Sequence, residues 1–317
     1  MPHVIKKDVI GMQGLARTIA RELAGLGFTV TNVDGVAANA VLDDSSRIVL
    51  SAGPTIDPKF NNEPWSVVVE GHDLDRWVSL NVVPTPQISD DGKVAKIDAN
   101  AEAGRLSVDN LIKRYFVSFD TWGISKEADY SAVPLTLFIS TSDHGFTLHV
   151  AADSLDNTGK AFSWAVVQRP VLESSMAVPA GPAPLFAVFR AEGDGDPDVL
   201  NDKEIQRITV READIHAAAK AVTACSFAPD VAPIINSMQQ VSVTVDNNAV
   251  VSFPQRINTH RHVYALMLDM LGYTSADIMS SASDVPIAFA GVPQRTYKAM
   301  NANGANNRGL RVLFPTD

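Results

Sequence analysis

The sequence holds a single cysteine, Cys225, in 317 residues, which excludes an intramolecular disulfide and any thiolate metal cluster. Set in AVTACSFAP, it reads as a buried, inert thiol, since no base or positive neighbour stands beside it to activate it. No apolar run is long enough to span a bilayer, and MPHVIKKDVI lacks the apolar core of a secretory signal. We therefore expect folding in a cytoplasm and no direct membrane contact. Positive charge is also scarce: 26 Lys and Arg stand against 36 Asp and Glu, a net charge of −10. Broad nucleic-acid binding needs the opposite balance. RINTHRH (Arg256–His262) and the stretch Arg295–Arg311 are the local basic patches, and both read as solvated or interface faces. Missing as well are a P-loop, a G-x-S-x-G elbow, an H-E-x-x-H pair and a paired-Cys motif.

What is present is a composition of 46% hydrophobic and 20% charged residues, that of a folded chain with room for one large domain or two to three ordinary ones. The opening stretch VIGMQGLARTIARELAGLGFTVTNVD (Val9–Asp34) imitates a dinucleotide fingerprint. That motif needs a strand, three glycines at fixed spacing and an acid about 20 residues on. With Gly11 and Gly14 as the second and third glycines, Val9 falls where the first must be, and a β-branched residue takes that turn poorly. The strand it requires, HVIKKD (His3–Asp8), is short and half charged, and Asp34 sits in NVDG, a plain turn sequence. An amphipathic helix fits better. Asp8 can cap it, Met12, Leu15, Ile19, Leu23 and Leu26 recur along one face, and Gly27 stops it. Nothing in the sequence accounts for Gly11 and Gly14, which weaken a helix by about 1 kcal/mol each relative to Ala.

Beyond this helix, β signals dominate. Phe28–Thr31, Arg47–Ser51, Trp65–Glu70 and Arg76–Val83 read as strands. QISDDGKVAKI carries the hairpin dipeptide Asp91-Gly92. Leu111–Trp122 reads as a helical turn passing into a strand. LTLFISTSDHGFTLHVAAD pairs two alternating runs around Asp143-His144-Gly145, and Ala161–Val171 adds a third strand. Between Leu172 and Pro184 the composition turns to ESSMAVPAGPAP, a loop or domain boundary. LFAVFR and IQRITVRE follow as strands, then a short helix at Asp214–Ala221 and a hairpin at Gln239–Phe253 turning at Asp246-Asn247-Asn248. RHVYALMLDMLG reads as a further helix, because Val263, Leu266, Met267 and Met270 share a face and Gly272 ends it. PIAFAG, RTYKAM and LRVLFP close the chain as strands. There is neither a fixed-period repeat nor a βαβ alternation. The expected class is α+β and predominantly β: antiparallel, hairpin-rich sheets in a sandwich or barrel-like modules, with one N-terminal amphipathic helix and a few short helices. The expected divisions are 1–117, 118–175 and 176–317.

Candidate chemistry is sparse. Seven histidines lie scattered at positions 3, 72, 144, 149, 216, 260 and 262. His260 and His262 can present two rings on one face of a strand, but no matching acid or His pattern accompanies them. His72 beside Asp73 and Asp75 suits a metal or a base–acid group, and equally a polar turn between strands. Asp194, Asp196 and Asp198 alternate as in a calcium loop, but Val199 and Ile205 stand where the EF-hand needs Gly and Glu. No catalytic residue, cofactor or metal is expected.

Four phrases in the second half carry a resemblance: FSWAVVQRPV (Phe162–Val171), PIINSMQQVSVT (Pro233–Thr244), YTSADIMSSASDVPIAFAG (Tyr273–Gly291) and RTYKAMNANGANNRGLRVLFP (Arg295–Pro315). They resemble virion structural proteins of large tailed bacteriophages of the contractile-tail kind, over residues 118–317. The resemblance implies a tail or baseplate subunit in the virion, whose partners are copies of itself and other virion proteins, without catalysis. A neck connector, a head-decoration protein, or a soluble metal- or nucleotide-dependent enzyme are the alternatives. The absence of disulfides agrees with assembly in a reducing cytoplasm. Within the C-terminal segment, Tyr297, Lys298, Arg308, Arg311 and Phe314 are the expected subunit-interface residues, because aromatic residues and Arg favour such surfaces and positive charge complements an acidic neighbour. The same hairpin can instead complete its own domain's sheet.

Overall fold

The computed structural model describes residues 3–37, 40–52, 65–74, 76–84, 88–93, 116–119, 122, 124, 133–142, 145–152, 161–168, 171–175, 186–190, 205–209, 241–245, 248–252, 254–258, 262–275, 284–289, 292–301 and 310–317. The chain begins with β1 (His3–Val9), α1 (Met12–Gly25), β2 (Thr29–Val33), β3 (Val36–Ala37), β4 (Arg47–Ser51), β5 (Trp65–His72), β6 (Trp77–Pro84) and β7 (Val117–Ser118). It continues with β8 (Leu135–Ser142), β9 (Gly145–Ala152), β10 (Phe162–Gln168), β11 (Val171–Ser175), β12 (Phe186–Arg190) and β13 (Ile205–Thr209). Next come β14 (Val241–Val245), β15 (Asn248–Ser252), β16 (Pro254–Asn258) and β17 (His262–Ser275). The last strands are β18 (Asp284–Phe289), β19 (Val292–Asn301) and β20 (Leu310–Pro315).

These strands form an N-terminal sheet in the order β3-β2-β4-β5-β6-β7 and a central sheet in the order β1-β8-β9-β10-β12-β13. A C-terminal sheet runs β11-β17-β20-β19-β18, with β16 also on β17, and β14-β15 is a separate hairpin. The fold is thus α+β and mostly β, with antiparallel sheets and one helix among the described residues; no barrel closes. Strand pairing crosses both expected divisions, since β1 pairs with β8 and β10 with β12.

Alternation along β8 and β9 places side chains on two faces, and both faces are covered. Leu135, Leu137, Ile139, Phe146, Leu148 and Val150 join α1 and the N-terminal sheet in one core. Phe28 meets Trp65 and Phe146 edge-on, each with ring centroids 5.6 Å apart. On the opposite face, Phe138 stacks on Phe314 at 6.2 Å and Trp164 meets Phe314 at 6.1 Å. The central sheet is therefore the middle layer. Small hydroxyl residues fill gaps on that second face, and the buried Ser140 and Thr147 hydroxyls satisfy each other at 2.7 Å.

α1 forms where the hydrophobic period demands it. Met12, Leu15, Ile19 and Leu23 are buried along one stripe, and Gly27, at φ +117°, turns the chain out of the helix. Asp8, however, is not its cap. HVIKKDV is a strand after all, paired with β8, so the helix starts later than expected. An edge position tolerates this charged, exposed sequence. Gly11 takes the N-cap position at φ +75°, and a carboxylate remote in sequence finishes the cap, with Gln13 N–H donating to Asp73 Oδ1 at 2.9 Å. Gly11 is thereby explained: its φ is one that L side chains avoid, and a Cβ there would crowd Asp73 Oδ1 at 3.1 Å.

Two further expectations are corrected. RHVYALMLDMLG is not a helix: its residues 262–272 belong to the 14-residue strand β17. Its backbone is claimed by β11 and β16 over residues 262–266 and mainly by β20 over residues 271–275, so pairing overrides a weak helical spacing. Gly272, expected as a helix stop, falls instead at a register shift between Leu271 and Tyr273. The helix expected at Asp214–Ala221 lies outside the described residues. The hairpins β8–β9 and β14–β15 are present, but Gly145 and Asn248, expected in the turns, open β9 and β15. The Asp91-Gly92 turn is present, with Gly92 at φ +76°, whereas the arm after Lys93 lies outside the described residues.

α1 rests on the N-terminal sheet at one close approach. A Cβ on Gly71 would lie 2.4 Å from Met12 O and 2.9 Å from the Ala16 Cβ. Gly71→Ala is expected to force helix and sheet apart and destabilise the protein by about 1–3 kcal/mol in urea unfolding. An unchanged midpoint would show that the contact does not set the helix position.

Candidate functional site

The residues that imitated a nucleotide site have structural roles. A dinucleotide fold needs β1 and β2 parallel in one sheet, but here α1 carries the chain from the central sheet to the N-terminal sheet. Asp34, at φ +50° in the β2–β3 turn, accepts from Ser46 N–H (3.0 Å), the Ser46 hydroxyl (2.8 Å) and Arg47 N–H (2.8 Å). It therefore pins the start of β4.

His72 and Asp73 part company. Asp73 turns to the helix N-terminus, while the His72 ring stacks on Trp77 at 4.0 Å and places Nε2 3.0 Å from Glu70 Oε1. Arg47 donates to the same Glu70 oxygen at 2.8 Å, which makes an Arg–Glu–His row across the solvent side of β4 and β5. Asp75, His260 and the Asp194–Asp198 alternation lie outside the described residues, as do Cys225 and His216. The side chain of His262, at the start of β17, is likewise not described. Among the described residues no three His, Cys, Asp or Glu side chains gather as metal ligands. The buried His149 ring lies flat against Phe162 at 5.5 Å.

Two of the expected interface residues belong to the core. Tyr297 and Phe314 are fully buried within the chain, Phe314 against Phe138 and Trp164. Lys298 Nζ pairs with Asp284 Oδ1 at 2.7 Å, across the β18–β19 ladder. Arg311 takes a mid-strand place in β20, opposite Thr274 and Asn301, and Arg308 lies outside the described residues. β20 sits between β17 and β19, so this hairpin completes the chain's own sheet.

A feature that the sequence did not single out is a groove of about 460 Å³ between β1 and α1. Lys6, Lys7, Arg17 and Arg21 line it together with Asp8, Glu22 and Asp43. Lys6 pairs with Glu22 at 3.0 Å, Arg21 pairs with Asp43, and Arg17 donates to Ser45 O at 3.1 Å. Gly14 forms part of the floor, and a Cβ there would meet nothing within 4 Å. The i, i+3, i+7 spacing of Gly14, Arg17 and Arg21 marks this face of the helix. What hid the groove is that its other wall comes from β1, which the sequence disguised as a poor strand.

No family model, no curated protein and no solved structure matches the chain.

Charge and burial oppose each other in the Arg–Glu–His row. Desolvation raises the Glu70 carboxyl, but hydrogen bonds from Arg47 and His72, with the Arg47 charge, outweigh it and hold it below the usual carboxylate range. Asp34 is lowered in the same way, desolvation being outweighed by the Arg47 and Ser46 hydrogen bonds. Depressed carboxyls stabilise the fold fully above the unfolded value, about 4, and lose that contribution as pH falls toward the lower folded value. Glu70→Gln is expected to cost on the order of 1 kcal/mol at neutral pH, with the deficit shrinking in acid. A deficit equal at both ends of a pH series of urea unfolding would contradict this assignment.

Proposed function

We propose that this chain is a structural subunit of a tailed-phage virion, in the tail or baseplate, acting through contacts with copies of itself and with other virion proteins. The observation that carries the reading is the set of phrases that resemble those of contractile-tail virion proteins. FSWAVVQRPV supplies β10 and the start of β11, VSVT lies in β14, and PIAFAG, RTYKAM and LRVLFP supply most of β18, β19 and β20. The likeness thus falls mainly on strands that build the central and C-terminal sheets. Asp34, Asp73, Glu70 and Lys298 hold a turn, a cap, an ion row and a strand pair within the chain. Fold alone does not assign function, so the test is made on the particle.

Particles of the phage that encodes the chain, purified on a density gradient, are expected to contain it in many copies by mass spectrometry. An antibody against it should label the tail or baseplate in electron micrographs. Presence in the lysate but absence from purified particles would refute the proposal.

A further inference from the structure

Two Asp-Gly pairs stand on turns at the N-terminal sheet, Asp34-Gly35 between β2 and β3 and Asp91-Gly92 after β6. In such a pair the chain readily attacks itself, because glycine has no side chain to shield its nitrogen. The Gly nitrogen bonds to the Asp Cγ and loses its proton, the carboxyl loses its hydroxyl, and departing water leaves a succinimide. Water then reopens the ring at either carbonyl. Opening at the original backbone carbonyl routes the chain through Cγ and leaves isoaspartate, with one extra methylene in the backbone and no change in mass. The step needs a nitrogen free to swing toward Cγ and a protonated carboxyl, since a carboxylate is a poor electrophile.

Both turns hold both reacting groups elsewhere. Gly35 N–H donates to Asn32 Oδ1 at 2.9 Å, while Ser46 and Arg47 occupy the Asp34 carboxylate. Gly92 N–H donates to Ser89 O at 2.8 Å, and the Asp91 carboxylate takes the Ser89 hydroxyl, the Lys93 N–H and the Lys93 ammonium. Hydrogen bonds from Lys93 and Ser89 keep the Asp91 carboxyl well below the usual carboxylate range. One side chain joins the two turns. Asn32, 7% exposed, accepts from Gly35 through Oδ1 and donates to Asp90 O through Nδ2 at 3.1 Å. The fit is close: a Cβ on Gly92 would lie 2.6 Å from Asn32 Oδ1, and one on Gly35 would lie 3.2 Å from Asp91 O. The ladder does not require this amide, since the backbone pairing of Asn32 with Ala37 and Val49 is open to other residues.

We infer that Asp34-Gly35 and Asp91-Gly92 are latent isoaspartate modification sites, and that the Asn32 amide is the positioning residue that keeps both closed. Losing the amide frees the Gly35 N–H and unseats the turn that carries Asp91. Isomerisation at Asp34 then inserts a methylene into the β2–β3 hairpin, whose register its turn fixes. The inference does not depend on the subunit reading above.

Peptide mapping of the full chain, aged in mildly acidic buffer at physiological temperature, reads the modification directly when isoaspartyl methyltransferase labelling marks the isomerised peptides. Wild type is expected to convert at both sites roughly tenfold or more slowly than synthetic peptides of the same sequences, because attack waits on local opening. Asn32→Ala should raise both rates roughly tenfold. Asn32→Asp keeps an acceptor for Gly35 N–H but loses the donor to Asp90 O, so Asp91-Gly92 should accelerate while Asp34-Gly35 stays slow. Ser51→Ala removes the 3.1 Å contact with the Ser66 hydroxyl in the same sheet and should leave both rates unchanged. Wild-type conversion at the peptide rate, Asn32→Ala no faster than wild type, or equal acceleration in Ser51→Ala would overturn the inference. If Asn32→Ala does not fold, Asn32→Asp decides: acceleration at Asp91-Gly92 alone supports the inference, and equal rates at the two sites overturn it.

Discussion

Burying both faces of β8 and β9 obliges their backbone groups to pair inside the protein, and the architecture follows from that demand. All eight residues of β9 are buried, as are seven of the eight in β8. The ladders to β1 and β10 satisfy the backbone. Side chains divide by parity: Leu137, Ile139, Leu148 and Val150 face the helix-side core, while Phe138 and Trp164 face Phe314. A sheet in this position cannot slip by one residue without exchanging its two faces, so its register fixes both neighbouring layers.

α1 and the C-terminal strands are the two coverings. The helix links sheets rather than strands of one sheet, and its position is set from the N-terminal sheet by Asp73 at its first turn and Gly71 beneath Met12. On the far side, β20 brings Phe314 inward from the middle of its own sheet. His3 Nδ1 donates to Thr316 O at 2.6 Å, which ties the start of β1 to the end of β20. Residues near both ends of the sequence therefore close on the same middle layer. What remains outward on the helix is the Gly14–Arg17–Arg21 face, where the groove opens.

Local pattern was readable wherever local pattern decided the outcome. The 135–152 hairpin, with two alternating runs and a short connection, and the 3.6-residue stripe of α1 could be read directly. β17 could not: Val263, Leu266, Met267 and Met270 also fit a helical face, and the strand is imposed by partners at 171–175, 254–258 and 310–315. The cap of α1 was misplaced for the same reason, since Asp73 lies 60 positions from Gln13 and no window around Asp8 contains it. Tyr297 and Phe314 had the composition of an interface but serve as core, a choice that only the placement of β20 between β17 and β19 decides.

Native-state amide exchange tests the central claim most directly, because a strand held between two layers opens only when the whole fold does. The amides of Leu135–Ser142 and Gly145–Ala152 are predicted to be the slowest class, exchanging at the free energy of global unfolding, while those of the edge strand β1 exchange sooner. Fast exchange of β8 and β9 at or above the rate of β1 would contradict the middle-layer account.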